Sequence, residues 1–131
     1  MTDTAKLKAA AEKAHWGDWS AYKPHSGARG YEVRVGSEAV AQHCLKDDAA
    51  FIAEASPKAV LCLIAALEAA QKRNAELEAS HEKLRDALAV IHNTIRLDGL
   101  NAPLAAIMSR AKRAHEESAA TAGINLETGG E

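Results

Sequence analysis

The chain has 131 residues, which is enough for one domain or for a small head that carries a helical extension. Its formal net charge is −2 and its acidic and basic residues are interspersed, which excludes a chain-wide basic field able to hold nucleic acid or an acidic membrane surface. The two cysteines lack a metal-ligand spacing, and neither a signal-type apolar run nor an apolar segment of membrane length occurs. We therefore expect a reduced cytosolic protein.

The amino-terminal part predicts a short helix and a small sheet. Asp3 or a neighbouring threonine can cap a helix that ends near His15. Strands are predicted over Trp19–Tyr22, Tyr31–Val35 and Glu38–Cys44, and the second strand has the cleanest alternation of apolar and charged residues. Three short antiparallel strands in a meander, covered on one face by the first helix, make a minimal α+β head.

A second, short helix is predicted over Ala49–Ala55. Asp47 or Asp48 stands at its N-terminus, where a carboxylate is electrostatically favoured. Phe51 and Ile52 are its large apolar residues, so we expect these two side chains to attach it to the head.

The longest predicted element is a helix over Ser56–Leu97. Ser56 can cap it, and Pro57 occupies the first helical position, where a missing N–H group costs nothing. Strong helix formers follow without interruption until Gly99, which offers a left-handed C-terminal cap. At about 1.5 Å per residue this helix is roughly 60 Å long, which is more than one small core can cover.

Apolar residues recur along this helix at alternating intervals of four and three, with one shorter step, as in a coiled coil with a stammer. Polar Gln71, Asn74 and His81 interrupt the stripe and favour one register. We predict that the chain forms a homo-oligomer, although folding of the helix back onto its own chain as a monomeric bundle is the alternative. The predicted oligomer interface consists of Ile64, Leu67, Leu77, Leu84, Leu88, Ile91 and Ile95.

A last helix is predicted from Leu104 to about Ser118, packing back on the far end of the long helix. Glycine and threonine dilute the apolar residues after it, which is typical of a flexible tail. The predicted fold class is thus a helix-dominated α+β protein. Its predicted domains are an α+β head over residues 1–55, a helical part for oligomerisation over residues 56–118 and a tail over residues 119–131.

Two separated signatures resemble a known family. An alanine-rich helix, Leu7–Ala14, is followed by Trp19, a short β region, Asp48–Ala53 and the start of the long helix at Pro57. In this order they look like the Ead family of lambdoid phage early-region accessory proteins, over about residues 5–79. The chain departs from the family pattern at Trp16-Gly17-Asp18, where a Pro-Gly-Pro-like turn is usual, and the part from Ser80 onward lies outside the resemblance.

The resemblance implies a protein encoded by a phage or prophage and located in the host bacterial cytoplasm. Because the family lacks an established biochemical activity, it supplies no catalytic residues. The sequence itself contains no helical histidine pair for a metal, no phosphate-binding loop, no dinucleotide fingerprint and no nucleophile motif. We therefore expect no enzymatic activity, no metal and no cofactor.

Two clusters are candidates for ligand binding. In the head, cations stand beside aromatic residues around a glycine-bearing loop, a combination that can hold a planar anion such as a nucleotide. This cluster comprises Tyr22, Lys23, His25, Arg29 and Arg34, with Tyr31 beside them. The second cluster can bind phosphate where helices of two subunits meet, and comprises Asn101, Arg110 and Arg113, with Lys112 and His115 nearby. An ordinary solvated hairpin and a solvated helix face are the alternative interpretations.

The leading hypothesis is a non-enzymatic phage accessory protein that binds and blocks a host protein, given its phage context a component of a defence system. The first alternative is an oligomeric sponge that sequesters a small nucleotide immune signal between subunits. The second is a DNA-binding regulator, which the balanced charge disfavours. No membrane partner is expected.

Overall fold

The computed structural model describes residues 3–99 and 103–123, which form four helices and one three-stranded sheet. In chain order the elements are α1 (Thr4–Lys13), β1 (Trp19–Tyr22), β2 (Tyr31–Val35), β3 (Glu38–Cys44), α2 (Lys46–Glu54), α3 (Pro57–Asp98) and α4 (Leu104–Ala122). The predicted helix-dominated α+β fold is confirmed. The chain forms two compact units, residues 1–69 and 70–131, whose boundary lies within α3. Whether the predicted domains 1–55, 56–118 and 119–131 are independent stays a prediction.

The sheet is an antiparallel meander with β2 at its centre. Val33 in the middle of β2 pairs with Ala21 on β1 and with Ala41 on β3, and it is the one large side chain in the described residues that is fully buried. Pairing of β2 with β3 is irregular on both sides of Val33, which is characteristic of a β-bulge.

The helix that contacts all three strands is α2, and not α1 as expected from the sequence. Its inward residues are Ala49, Ile52 and Ala53, spaced three and four apart on one helix face. Phe51 does not share that face and is 73% exposed, so the prediction that it attaches α2 to the head is wrong. The fully buried Ala49 lets α2 lie close to the sheet.

The first helix is held locally at both of its ends. The Asp3 carboxylate accepts a hydrogen bond from the backbone N–H of Lys6 at 3.3 Å and caps α1, as the sequence predicts. After α1, the Trp19 indole N–H donates to the carbonyl oxygen of His15 at 2.9 Å. Lys8 Nζ lies 3.5 Å from Glu68 Oε1, which places α1 beside the first turns of α3, where Ile64 is buried.

The long helix begins where the sequence places it. The Ser56 hydroxyl accepts a hydrogen bond from the backbone N–H of Ala59 at 3.4 Å, and Pro57 is the first helical residue. Every residue from Ala65 to Ala79 is exposed, although Leu67 and Leu77 are only 45% and 39% exposed, so this stretch gains little stability from burial against the rest of the described chain.

Within the carboxy-terminal unit, α3 and α4 form an antiparallel hairpin. The start of α4 lines a cavity together with Ile91, near the end of α3, whereas Ser118, near the end of α4, lines another with Ser80. The helix continues to Ala122, one turn beyond the predicted end at Ser118, because alanine and threonine permit helix until Gly123 adopts a left-handed φ of 71°. The remainder of the predicted tail, residues 124–131, lies outside the described residues.

Gly17, in the turn between α1 and β1, lies at a position where a side chain would not fit. Its φ is 143°, and a Cβ atom there would lie 2.6 Å from Val35 Cγ1. We expect Gly17→Ala to lower the free energy of unfolding by about 1–3 kcal/mol, because both the backbone conformation and the close approach are lost. Chemical denaturation followed by circular dichroism measures this.

The matched control is Gly27→Ala, since a Cβ there would meet only His25 side-chain atoms at 3.6 and 3.8 Å, which are ordinary contact distances. An equal loss of stability in both variants would contradict the structural role assigned to Gly17.

Candidate functional site

The cations predicted to hold a ligand in the head are partly engaged by the head itself. The Arg34 guanidinium carbon lies 4.1 Å from the centroid of the Tyr22 ring, and Arg34 Nε donates to Glu32 Oε2 at 2.7 Å. Lys23 Nζ lies 5.4 Å from the centroid of the Tyr31 ring. The first cation–π pair joins β1 to β2, and the second joins β2 to Lys23, the residue that follows β1, so both pairs stabilise the sheet where the sequence suggested a ligand clamp.

His25 and Arg29 come together at a different place. They line a cavity of about 200 Å³ with Glu32 and His43, at the loop between β1 and β2. The Gly27 backbone N–H donates to His25 Nδ1 at 3.2 Å and so fixes the imidazole relative to the loop. His43 has a φ of 60° and is the one non-glycine residue with a positive φ in the described residues. The predicted head cluster is therefore divided between two cation–π pairs and a small cavity.

The second predicted cluster lies on the hairpin. Arg110 and Arg113 line one groove of about 420 Å³ between α3 and α4, with Lys83 on the opposite wall. Sequence reasoning missed Lys83, because nothing in its neighbourhood along α3 marks it and only the antiparallel packing of α4 brings it near the arginines. Asn101, the remaining member of this cluster, lies outside the described residues. Lys112 points away from the groove and pairs with Glu116 at 3.8 Å.

The predicted interface residues of α3 fall into three groups. Ile64 is buried in the amino-terminal unit. Leu84 and Ile91 are half-buried on the stripe of α3 that faces α4. The remaining residues are exposed, and they are Leu67, Leu77, Leu88 and Ile95. Part of the stripe that we interpreted as an intermolecular seam thus packs within the hairpin.

The two sides of the hairpin differ in chemistry. At 3.6 residues per turn, Leu77, Leu88 and Ile95 lie on one flank of the stripe that faces α4, and Lys83 lies on the other. Because the helices are antiparallel, Leu104 and Met108 of α4 fall on the same side of the hairpin as the three α3 residues. One side, called the apolar side below, therefore carries these five exposed apolar residues, with His81 and His115 among them, and the opposite side is the groove with Lys83, Arg110 and Arg113.

Other classes of site are not formed by the described residues. Within residues 3–99 and 103–123, no group of three or more His, Cys, Asp or Glu side chains is arranged to hold a metal ion. In the same part of the chain no single helix is long and apolar enough to cross a membrane, although the bent pair α2 and α3 together meets that length and composition.

The sequence model of the Ead/Ea22-like protein family matches residues 2–125. The chain belongs to this family. The resemblance seen over residues 5–79 is thereby confirmed, and the match continues through α3 and α4. The expectation that the part from Ser80 onward lies outside the family is wrong. No curated protein and no solved structure matches the chain.

The contacts of Arg34 indicate that it stabilises the head of this Ead/Ea22-like protein. We expect Arg34→Ala to lower the free energy of unfolding by about 1–2 kcal/mol, because the half-buried Glu32 carboxylate loses its partner and Tyr22 loses its stacked cation. Thermal and chemical unfolding measure the change.

Arg29→Ala is the control, since this exposed residue has no ion pair among the described residues. If both variants lose the same stability, Arg34 does not stabilise the sheet in the way its geometry indicates.

Proposed function

We propose that this Ead/Ea22-like chain is a phage-encoded, non-enzymatic accessory protein that self-associates and acts by binding and blocking a host protein. In a phage context a component of a bacterial defence system is the target we infer. Membership of the family supports the phage context, and the surface chemistry supports a binding role.

The observation that carries the proposal is the amount of apolar surface that the described residues leave uncovered. Scattered exposed apolar residues are normal on a protein surface, but groups of them mark interaction sites. Here Trp16, Leu45 and Phe51 are exposed on the head, and the hairpin adds Leu88, Ile95, Leu104 and Met108, whereas Val33 is the one fully buried large side chain in the described residues.

The apolar side of the hairpin is where we place the contact between copies. Leu88 is 57% exposed and Ile95 50%, and across the hairpin Leu104 is 66% and Met108 62% exposed. Two hairpins that pack through this side would form a four-helix arrangement in which these residues become core positions. The alternating spacing along α3 supports such packing, because it keeps Leu77, Leu88 and Ile95 in one line.

The head is where we place the host target. Aromatic side chains dominate binding energy at protein interfaces because they bury large areas with few rotatable bonds. Trp16 and Phe51 are both aromatic and both exposed, and neither is needed on the inward face of α2 or in the sheet. These two residues are therefore the anchors we infer for the target.

Self-association is tested by introducing charge on the apolar side of the hairpin. We expect the double variant Leu88→Asp, Ile95→Asp to be a monomer, because a buried unpaired carboxylate is strongly unfavourable at an interface. The monomer itself should stay folded, since both side chains are exposed in the single chain. Light-scattering mass and sedimentation velocity measure the outcome.

Leu97→Asp is the matched control, since Leu97 is on the same helix, is exposed and lies on the opposite flank. A wild-type protein that is monomeric in solution would overturn the proposed contact. So would an oligomer that survives the paired substitution.

Host binding is tested with a partner captured from host lysate and then purified. We expect Trp16→Ala with Phe51→Ala to weaken binding of that partner by at least about tenfold, as loss of aromatic anchors does, without changing the oligomer mass. Calorimetric titration measures binding, and Leu97→Ala is a control for loss of apolar surface outside the head, since Leu97 is exposed and lies outside the apolar side of the hairpin.

Three results would contradict host blocking. One is a partner that binds the wild type and the Trp16→Ala, Phe51→Ala double variant with equal affinity. A nucleotide that co-purifies in native mass spectrometry, with no protein partner, would favour the sponge hypothesis. An interaction with DNA that weakens steeply with salt would favour the regulator hypothesis.

A further inference from the structure

Small side chains make up much of the lining of the groove. Ala87 of α3 and Ala114, Ser118 and Ala120 of α4 line it, so no large side chain from these positions fills the space between the two helices. Its volume of about 420 Å³ lies within the range of clefts that take small molecules, roughly 300–1,000 Å³.

The charged side chains of the groove come from both helices. Lys83 stands on α3, and Arg110 and Arg113 stand one turn apart on α4, against the single carboxylate of Glu117. The groove therefore carries an excess of two positive charges in a chain whose net charge is −2. Such a local excess attracts anions although the whole chain does not.

These cations differ in how far they are already paired. Arg113 Nε donates to Glu117 Oε1 at 3.1 Å, so Glu117 holds this guanidinium in place and partly neutralises it. Among the described residues, neither Lys83 nor Arg110 has a carboxylate oxygen within 4.0 Å. Lys112, outside the groove, by contrast lies 3.8 Å from Glu116, so within the groove Lys83 and Arg110 are the cations left to receive an anion.

We propose that this groove is a binding site for a small anion with at least two adjacent phosphoryl groups. Guanidinium groups bind phosphoryl oxygens in a bidentate manner, and arginines at positions i and i+3 can each take one group. Lys83 supplies a point charge from the opposite wall. The half-buried hydroxyl of Ser118 is a further donor, whereas the Thr121 hydroxyl already donates to the carbonyl oxygen of Glu117.

The site is complete within one protomer. Its lining residues lie on the side of the hairpin opposite Leu88 and Leu104, so pairing of copies through the apolar side leaves the groove open to solvent. The inference goes beyond the proposed function and does not depend on it, because a monomer would bind the same anion.

The probe is inorganic pyrophosphate, titrated calorimetrically into the full chain at low salt. We expect saturable binding that Arg110→Gln and Lys83→Gln each weaken by at least about tenfold, as the loss of a charge-assisted hydrogen bond does. Lys112→Gln removes the same charge from the same helix outside the groove, and its affinity should stay within about twofold of the wild type.

Glu117→Gln is expected to raise the affinity for pyrophosphate, whereas a poorly folded variant would lower it. Removing this carboxylate frees Arg113, so we expect pyrophosphate to bind at least about threefold more tightly, which a damaged fold would not produce. Failure to saturate below about 10 mM pyrophosphate would overturn the proposal. So would an equal loss of affinity in Lys112→Gln and Arg110→Gln, or weaker binding by Glu117→Gln.

A second titration with ADP distinguishes the sources of the phosphoryl groups. Equal affinity for ADP and pyrophosphate would assign recognition to the phosphoryl groups alone. Tighter binding of ADP that Arg110→Gln still weakens would support the site and add contacts to the nucleoside. Tighter binding of ADP that is unaffected by Arg110→Gln would contradict the site.

Discussion

The structure depends on one constraint, which is that α3 is longer than the surface that the described residues supply to cover it. A helix of 42 residues has apolar side chains along its whole length, but in the described residues its buried and half-buried positions occur only in its first turns and its distal part. Isolated helix in water is marginal even for good helix formers, so most of its stability has to come from packing. The head supports one end through Ile64, and α4 supports the other through Leu84 and Ile91. Between them, the exposed stretch from Ala65 to Ala79 relies on the helix propensity of alanine, leucine, glutamate and lysine.

The local elements could be predicted because each has a strong local cause. The alternation of Tyr31–Val35 defines β2, and Ser56 with Pro57 defines the start of α3, so both appear in the structure at the residues that the pattern indicates. No local sequence signal decides whether α1 or α2 covers the sheet. Both helices are short and rich in alanine, and the sequence places the large Phe51 on α2 without showing that Ala49, Ile52 and Ala53 form the tighter face. Packing selected the face that combines Ile52 with two alanines, and periodicity over nine residues could not show this.

The candidate sites could be predicted only in part, for a similar reason. Residue types identified the cations of the head, but pairing of β1 with β2 sets Arg34 over Tyr22 and Lys23 over Tyr31, whereas the loop carries His25 and Arg29 to a separate cavity. On the hairpin, Arg110 and Arg113 could be recognised from the sequence because they are neighbours on one helix. Lys83 could not, since 27 residues separate it from Arg110 and its position on the groove wall follows from the antiparallel packing of α4.

The spacing of α3 also shows why one periodic stripe can serve two purposes. Steps of four and three residues keep a line of positions on one face, but that face is broad enough to touch two neighbours. Leu84 and Ile91 face α4, and Leu88 and Ile95 lie about 20–60° from them around the helix, toward the apolar side. A sequence periodicity therefore cannot distinguish a hairpin from an oligomer, because both use the same stripe. What distinguishes them is whether the second helix covers the stripe completely, and Ile107 and Ala114 of α4 cover only its half nearest the polar groove. The uncovered half, extended by Leu104 and Met108, is the reason that assembly is the first property to establish for this protein.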